Sequence, residues 1–133
     1  MSNTVEAKLV WREEHAFEAS SGSHQMVVDG NQDAGWSPMQ HLLVALGGCM
    51  GIDIADILTK MRTPPAHLEM ELTGERPTDP PRRFQRITLT LRIQGDVPLK
   101  NVERAVELSR DTYCSVWRTF SQDTELNVDI ELS

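Results

Sequence analysis

Apolar and polar residues alternate with a period of two in several stretches of this chain. Near the start, Val5, Ala7, Leu9 and Trp11 alternate with Glu6, Lys8 and Arg12. Ala66, Leu68, Met70 and Leu72 alternate with His67, Glu69, Glu71 and Thr73, and Ile87, Leu89, Leu91 and Ile93 with Arg86, Thr88, Thr90 and Arg92. Leu126, Val128, Ile130 and Leu132 close the chain in the same way. Successive side chains of a strand point to opposite faces, so each stretch predicts a strand with one face toward a core. Phe17-Glu18-Ala19 and Gln25-Met26-Val27-Val28 are shorter strand candidates, and Ser20-Ser21-Gly22-Ser23 between them suits a hairpin turn.

Helical patterns fill the gaps. Ser37-Pro38 is a start signal, because a serine side chain satisfies orphan N–H groups and proline fits the first turn. The helix is expected to run to about Met61, before Thr63-Pro64-Pro65 ends it. Leu42, Leu43, Val44, Leu46, Met50, Ile52, Ile54, Ile57 and Leu58 surround it, which predicts a helix in the middle of a core. Gly47 and Gly48 inside it read first as a site of close packing, with a part in chemistry as the alternative. A second helix is expected over residues 99–113, with Val102, Ala105, Val106 and Leu108 inward. A short third helix is expected from Cys114 to about Phe120. The order β-β-β, α, β-β, α, α, β predicts an α+β fold, a single domain over residues 1–133 with sheets covering a central helix.

Composition narrows the function. The 133 residues carry 13 basic and 20 acidic side chains, a net charge of −7, with the basic residues dispersed. Nucleic acid binding needs concentrated positive charge, so it is set aside in favour of small-molecule or protein partners. The apolar segment around residues 42–58 is broken by Asp53, Asp56 and glycines, which argues for a buried helix and no membrane span. The N-terminal residues show no basic-then-apolar leader, so a cytoplasmic location is expected.

Cys49 and Cys114 are the candidate reactive groups. Each taken alone fits a small core hydrophobe as well as a redox centre, and only tertiary folding could bring them together. No CxxC motif is present, and His15, His24, His41 and His67 share no metal-ligand spacing on one element, so neither a metal nor a cofactor is expected. His41 and Cys49 would stand more than two helical turns apart, about 12 Å. Asp53, four residues after Cys49, should be its helical neighbour. Glu75-Arg76, just past a strand, offers a possible cation. No serine–histidine–acid arrangement or phosphate-binding glycine loop is visible.

The chain resembles the OsmC/Ohr family, most closely its YhfA-like branch. The likeness rests on Gly22-Ser23-His24-Gln25, on Met26-Val27-Val28-Asp29-Gly30, and on Ser37-Pro38-Met39 through Leu46-Gly47-Gly48-Cys49. It continues in Ile52-Asp53-Ile54, Glu75-Arg76, Arg83-Phe84 and Tyr113-Cys114-Ser115-Val116. The resemblance implies an OsmC-like fold, a long central helix wrapped by antiparallel sheets in an intertwined homodimer, with active sites at the dimer interface. It also implies a peroxidase cycle in an oxidative-stress setting: Cys49 attacks an organic or hydrogen peroxide, Cys114 resolves the sulfenic acid to a disulfide, and a dithiol reductant restores both thiols. Two positions depart from that pattern. Met39 stands where peroxidase members carry a glutamate, with Gln40 beside it, and no N-terminal arginine matches the family's activating one. Gln40, Arg76 and Asp53 are therefore the supporting candidates. The competing reading is a non-catalytic dimer that holds a small apolar or acyl ligand at its interface.

Overall fold

The structure, a computed structural model, describes residues 3–120 and 122–133. Among the described residues, six strands, three α-helices and one π-helical segment follow the predicted order. The chain divides into two compact units, one ending at Leu42 and the other running from Leu43 to Ser133.

In the first unit, β1 (Lys8–Glu13), β2 (Ala16–Ser21) and β3 (His24–Asp29) form an antiparallel meander. Gly22 takes φ +59° in the tight turn between β2 and β3, a conformation that glycine adopts without a Cβ penalty. Leu9 pairs with Ala19 and Ala19 with Met26, while Trp11 pairs with Phe17 and Phe17 with Val28. These residues share one apolar face. Its expected burial is not met in the single chain: Leu9 is 53% and Trp11 61% exposed, and all of β1 is exposed. Strand pairing satisfies the backbone, but burying a sheet face requires a second layer.

Beyond β3 the loop is organised by Asp29, which is buried. Its Oδ1 accepts from the Asn31 N–H at 2.9 Å, and its Oδ2 from Ala34 at 3.0 Å and Asp33 at 3.2 Å. These backbone donors, Ala34 first, hold its carboxyl below the usual range. The Asp29 N–H in turn donates to the Trp36 carbonyl at 3.0 Å, next to the residue that caps the long helix.

The boundary between the units falls inside α1 (Pro38–Lys60). In the second unit β4 (His67–Glu75), β5 (Arg86–Gln94) and β6 (Glu125–Leu132) form a sheet in that order. Ile87, Leu89, Leu91 and Ile93 of the central strand are buried, as their alternation predicts. On the opposite face Arg92 binds Glu69 and Glu71 at 2.9 Å and reaches Glu131 at 3.5 Å, and Arg86 pairs with Glu75 and Glu125. The central strand thus carries cations between acidic neighbours, favourable cross-strand pairing.

Two expectations need correction. The sheets are not wholly antiparallel, because β6 runs parallel to β5. The helices between them form a crossover that returns the chain to the starting end of the sheet, as a parallel pair requires. Nor is α1 buried all round. Leu46, Met50, Ile54 and Leu58 form a fully buried stripe, but Ile52 is 67% exposed and Val44 48%. A single copy of this chain supplies cover for only one side of the helix.

Candidate thiol site

The site is assembled where α1 lies close against β4. A Cβ at Gly47 would stand 2.7 Å from Leu72 Cδ1, and one at Gly51 3.1 Å from Met70 Sδ. Glycine at these positions lets the helix approach the sheet. The packing reading therefore holds for Gly47. At Gly48 a Cβ would meet nothing of this chain within 4 Å. Cys49, the next residue, is half-buried, and Asp53 shares its side of the helix one turn on.

The opposing wall comes from the end of the second helix. α2 covers only Leu99–Leu108, and the predicted continuation to residue 113 is a π-helical segment, Ser109–Tyr113. It closes with the Cys114 N–H donating to the Ser109 carbonyl at 2.7 Å. Residues five apart in an α-helix stand about 140° apart around the axis, and the wider π turn brings them toward one side. Both then reach α1. Ser109, fully buried, donates its Oγ–H to Asp53 Oδ2 at 2.8 Å, and Cys114 meets Cys49. Sulfur atoms of Cys49 and Cys114 and a carboxylate oxygen of Asp53 all lie within 4.8 Å of one another.

Cys114 also caps α3 (Ser115–Thr119), its Sγ accepting from the Trp117 N–H at 3.3 Å. The free N–H groups of the helix start thus reach the sulfur and favour its thiolate, but this effect is outweighed. Burial comes first and pushes the thiol up to about 11; the Trp117 N–H opposes it, and the Cys49 sulfur, as hydrogen-bond acceptor and as charge, adds to the rise. Cys114 is 1% exposed. It holds its proton at neutral pH, which suits a second thiol that waits for an oxidised partner.

The other candidates divide. Asp53 joins the cysteines. Gln40 is placed in a reciprocal cap: its Oε1 accepts from the Ser37 N–H at 2.8 Å, while its own N–H donates to Ser37 Oγ at 3.3 Å. The Ser-x-x-Gln spacing is the sequence signal for this capping box. Arg76 sits beyond β4, its Nε donating to the Arg82 carbonyl at 2.6 Å. Among the described residues, no lysine or arginine is ion-paired with Asp53. Ser109 is the site residue that sequence reasoning missed; a serine inside a predicted helix carries no mark of the π turn that aims it. Beside Asp53 opens a cleft of about 420 Å³ whose walls include Ile57, Met61, Leu108 and Tyr113.

A family model described as OsmC-like protein matches residues 30–129, a span that includes both cysteines and Asp53. The chain belongs to the OsmC-like family. Protein YhfA of Escherichia coli (strain K12) is 42% identical to it over 115 residues, 84% of this chain and 86% of YhfA. A protein from Aquifex aeolicus of known crystal structure is 29% identical and superimposes with a TM-score of 0.92, covering 99% of this chain and 98% of its own. The OsmC-like protein from Mycoplasma pneumoniae shares the fold at 19% identity, with a TM-score of 0.84 over 100% of this chain and 98% of its own.

Proposed function

We propose that the chain is a two-cysteine thiol peroxidase acting on organic or hydrogen peroxides in the cytoplasm, in the response to oxidative stress. The observation that carries this reading is the approach of the two sulfurs to within 4.8 Å with Cys114 still protonated. Cys49 gives up its thiol proton and, as thiolate, attacks the distal peroxide oxygen; the O–O bond breaks, and the departing alkoxide or hydroxide takes up that proton to leave as alcohol or water. Cys49 is then a sulfenic acid. The Cys114 sulfur attacks it, the S–S bond forms, and water carries away the hydroxyl and the Cys114 proton. An external dithiol reductant returns the two electrons. Asp53, held by Ser109, is positioned to guide proton movement between the sulfurs. Organic hydroperoxide resistance proteins share this fold, one from Elizabethkingia anophelis at 10% identity with a TM-score of 0.71, and the activity is inferred here from the paired thiols.

The working form in this proposal is a homodimer in which residues 1–133 act as one domain. The exposed apolar face of β1–β3 and the open side of α1 at Val44 and Ile52 are the surfaces a second copy would cover. The apolar walls of the cleft beside Asp53, interspersed with the charged Asp56 and Lys60, would accept the organic group of a hydroperoxide. They also keep a second reading, capture of a small apolar or acyl ligand without chemistry, as the competing outcome.

The test is stoichiometric peroxide treatment of reduced protein followed by intact-mass analysis. The expected result is loss of two hydrogens per chain on one equivalent of peroxide, abolished by Cys49→Ser, with Cys114→Ser trapping a sulfenic acid. Two free thiols surviving excess peroxide would overturn the peroxidase reading, and a ligand retained with both thiols intact would establish the second.

A further inference from the structure

The same three side chains that bring the thiols together form a donor set for a metal ion. We propose that, in the reduced protein, Cys49, Asp53 and Cys114 bind one thiophilic divalent cation of the zinc class. Two sulfurs and one carboxylate oxygen within 4.8 Å of one another come from separate elements, α1 and the turn into α3. A tetrahedral zinc ion with bonds of about 2.3 Å to sulfur holds two thiolates about 3.8 Å apart. The two sulfurs therefore close by at most about 1 Å on binding.

The site has further features of a metal centre. Asp53 is already oriented by the buried Ser109 hydroxyl, which engages Oδ2 and leaves lone pairs on the carboxylate for the ion; ligands steered in this way by an outer hydrogen bond bind more tightly. Two sulfur donors select a soft or borderline cation over magnesium or calcium. Three protein ligands leave the fourth tetrahedral position to water. Thiol ligands give up their protons on binding a metal, so affinity falls as pH falls. A bound ion occupies both sulfurs and blocks their oxidation. The inference concerns the same residues as the proposed peroxidase, but it does not depend on peroxide turnover.

Anaerobic titration of the reduced full-length chain with Co²⁺ alone, followed by its sulfur-to-metal charge-transfer absorption, tests the site. The expected result is saturation at one ion per chain with release of protons. Cys49→Ser and Cys114→Ser should each abolish the thiolate-dependent band. Asp53→Asn should weaken binding at least tenfold, and Ser109→Ala by about 10- to 100-fold. Each variant is to be compared at wild-type circular dichroism, and Ser109→Ala provides the second arm should Asp53→Asn fail to fold. Absence of a saturable band in the wild type overturns the proposal. Equal affinity in wild type, Asp53→Asn and Ser109→Ala also overturns it, since that is chelation by a bare dithiol. Loss of peroxide reactivity with metal binding intact would count against the peroxidase reading alone.

Discussion

The proton on Cys114 should leave a mark on the stability of the whole protein. Its thiol is raised from an ordinary 9.0 to about 11, chiefly by burial. An upward shift of that size lowers the thiolate population at neutral pH about 100-fold relative to an unperturbed thiol and corresponds to at most roughly 2–3 kcal/mol. In the unfolded chain the group loses its proton as pH passes 9.0, whereas the native state keeps it until about 11. Over that window the unfolded state binds fewer protons, so stability falls as pH rises. Below 9.0 the contribution is fully present. Urea unfolding of reduced wild type and of Cys114→Ala at closely spaced pH values isolates the effect. The wild-type free energy should decline between pH 9 and 11 by up to roughly 2–3 kcal/mol more than that of the variant. Thiolate absorbance in Cys49→Ser supplies a second readout. There the midpoint should fall below that of Cys114 in the intact pair, because the Cys49 sulfur, as acceptor and as charge, adds to the rise. A Cys114 midpoint in that variant at or above that of the intact pair, or parallel pH curves for wild type and Cys114→Ala, would refute the reasoning.

Packing and helix capping set further outcomes. Gly74→Ala should destabilise by about 1–3 kcal/mol in urea unfolding, since its Cβ would stand 2.3 Å from Cε1 of the buried Phe84 ring. Ser37→Ala should cost about 1 kcal/mol, and Gln40→Ala should also destabilise, because each removes one arm of the reciprocal cap. Peroxide-driven disulfide formation in Gln40→Ala should match wild type; a slower rate would return Gln40 to the thiol chemistry. Leu89→Ala, at a fully buried position of the central strand, should cost about 2–5 kcal/mol, detectable as a lower unfolding midpoint with an unchanged slope.

Element order and type were legible along the chain because each element carries its own period. Ile87, Leu89, Leu91 and Ile93 declare a strand by alternation alone, and Ser37-Pro38 declares where α1 begins. What covers each face was not legible, because alternation says that a face is apolar and not which layer meets it. Leu9, Trp11 and Ile52 therefore read as core residues while the single chain leaves them exposed. The parallel pairing of β6 was equally hidden, since strand direction depends on where the intervening helices deliver the chain.

At the site the division is the same. The sequence by itself determined the two thiols, the i, i+4 placement of Asp53 beside Cys49, and the short helix that starts at Cys114. Only the tertiary structure decided that the thiols meet. Their approach depends on Gly47 admitting Leu72, and on a π turn that aims Ser109 and Cys114 at the same helix. The burial that raises the Cys114 thiol is likewise a property of the assembled core. Local periodicity records the contacts a residue makes along its own element, whereas proximity and desolvation come from elements remote in sequence, whose meeting no local pattern encodes.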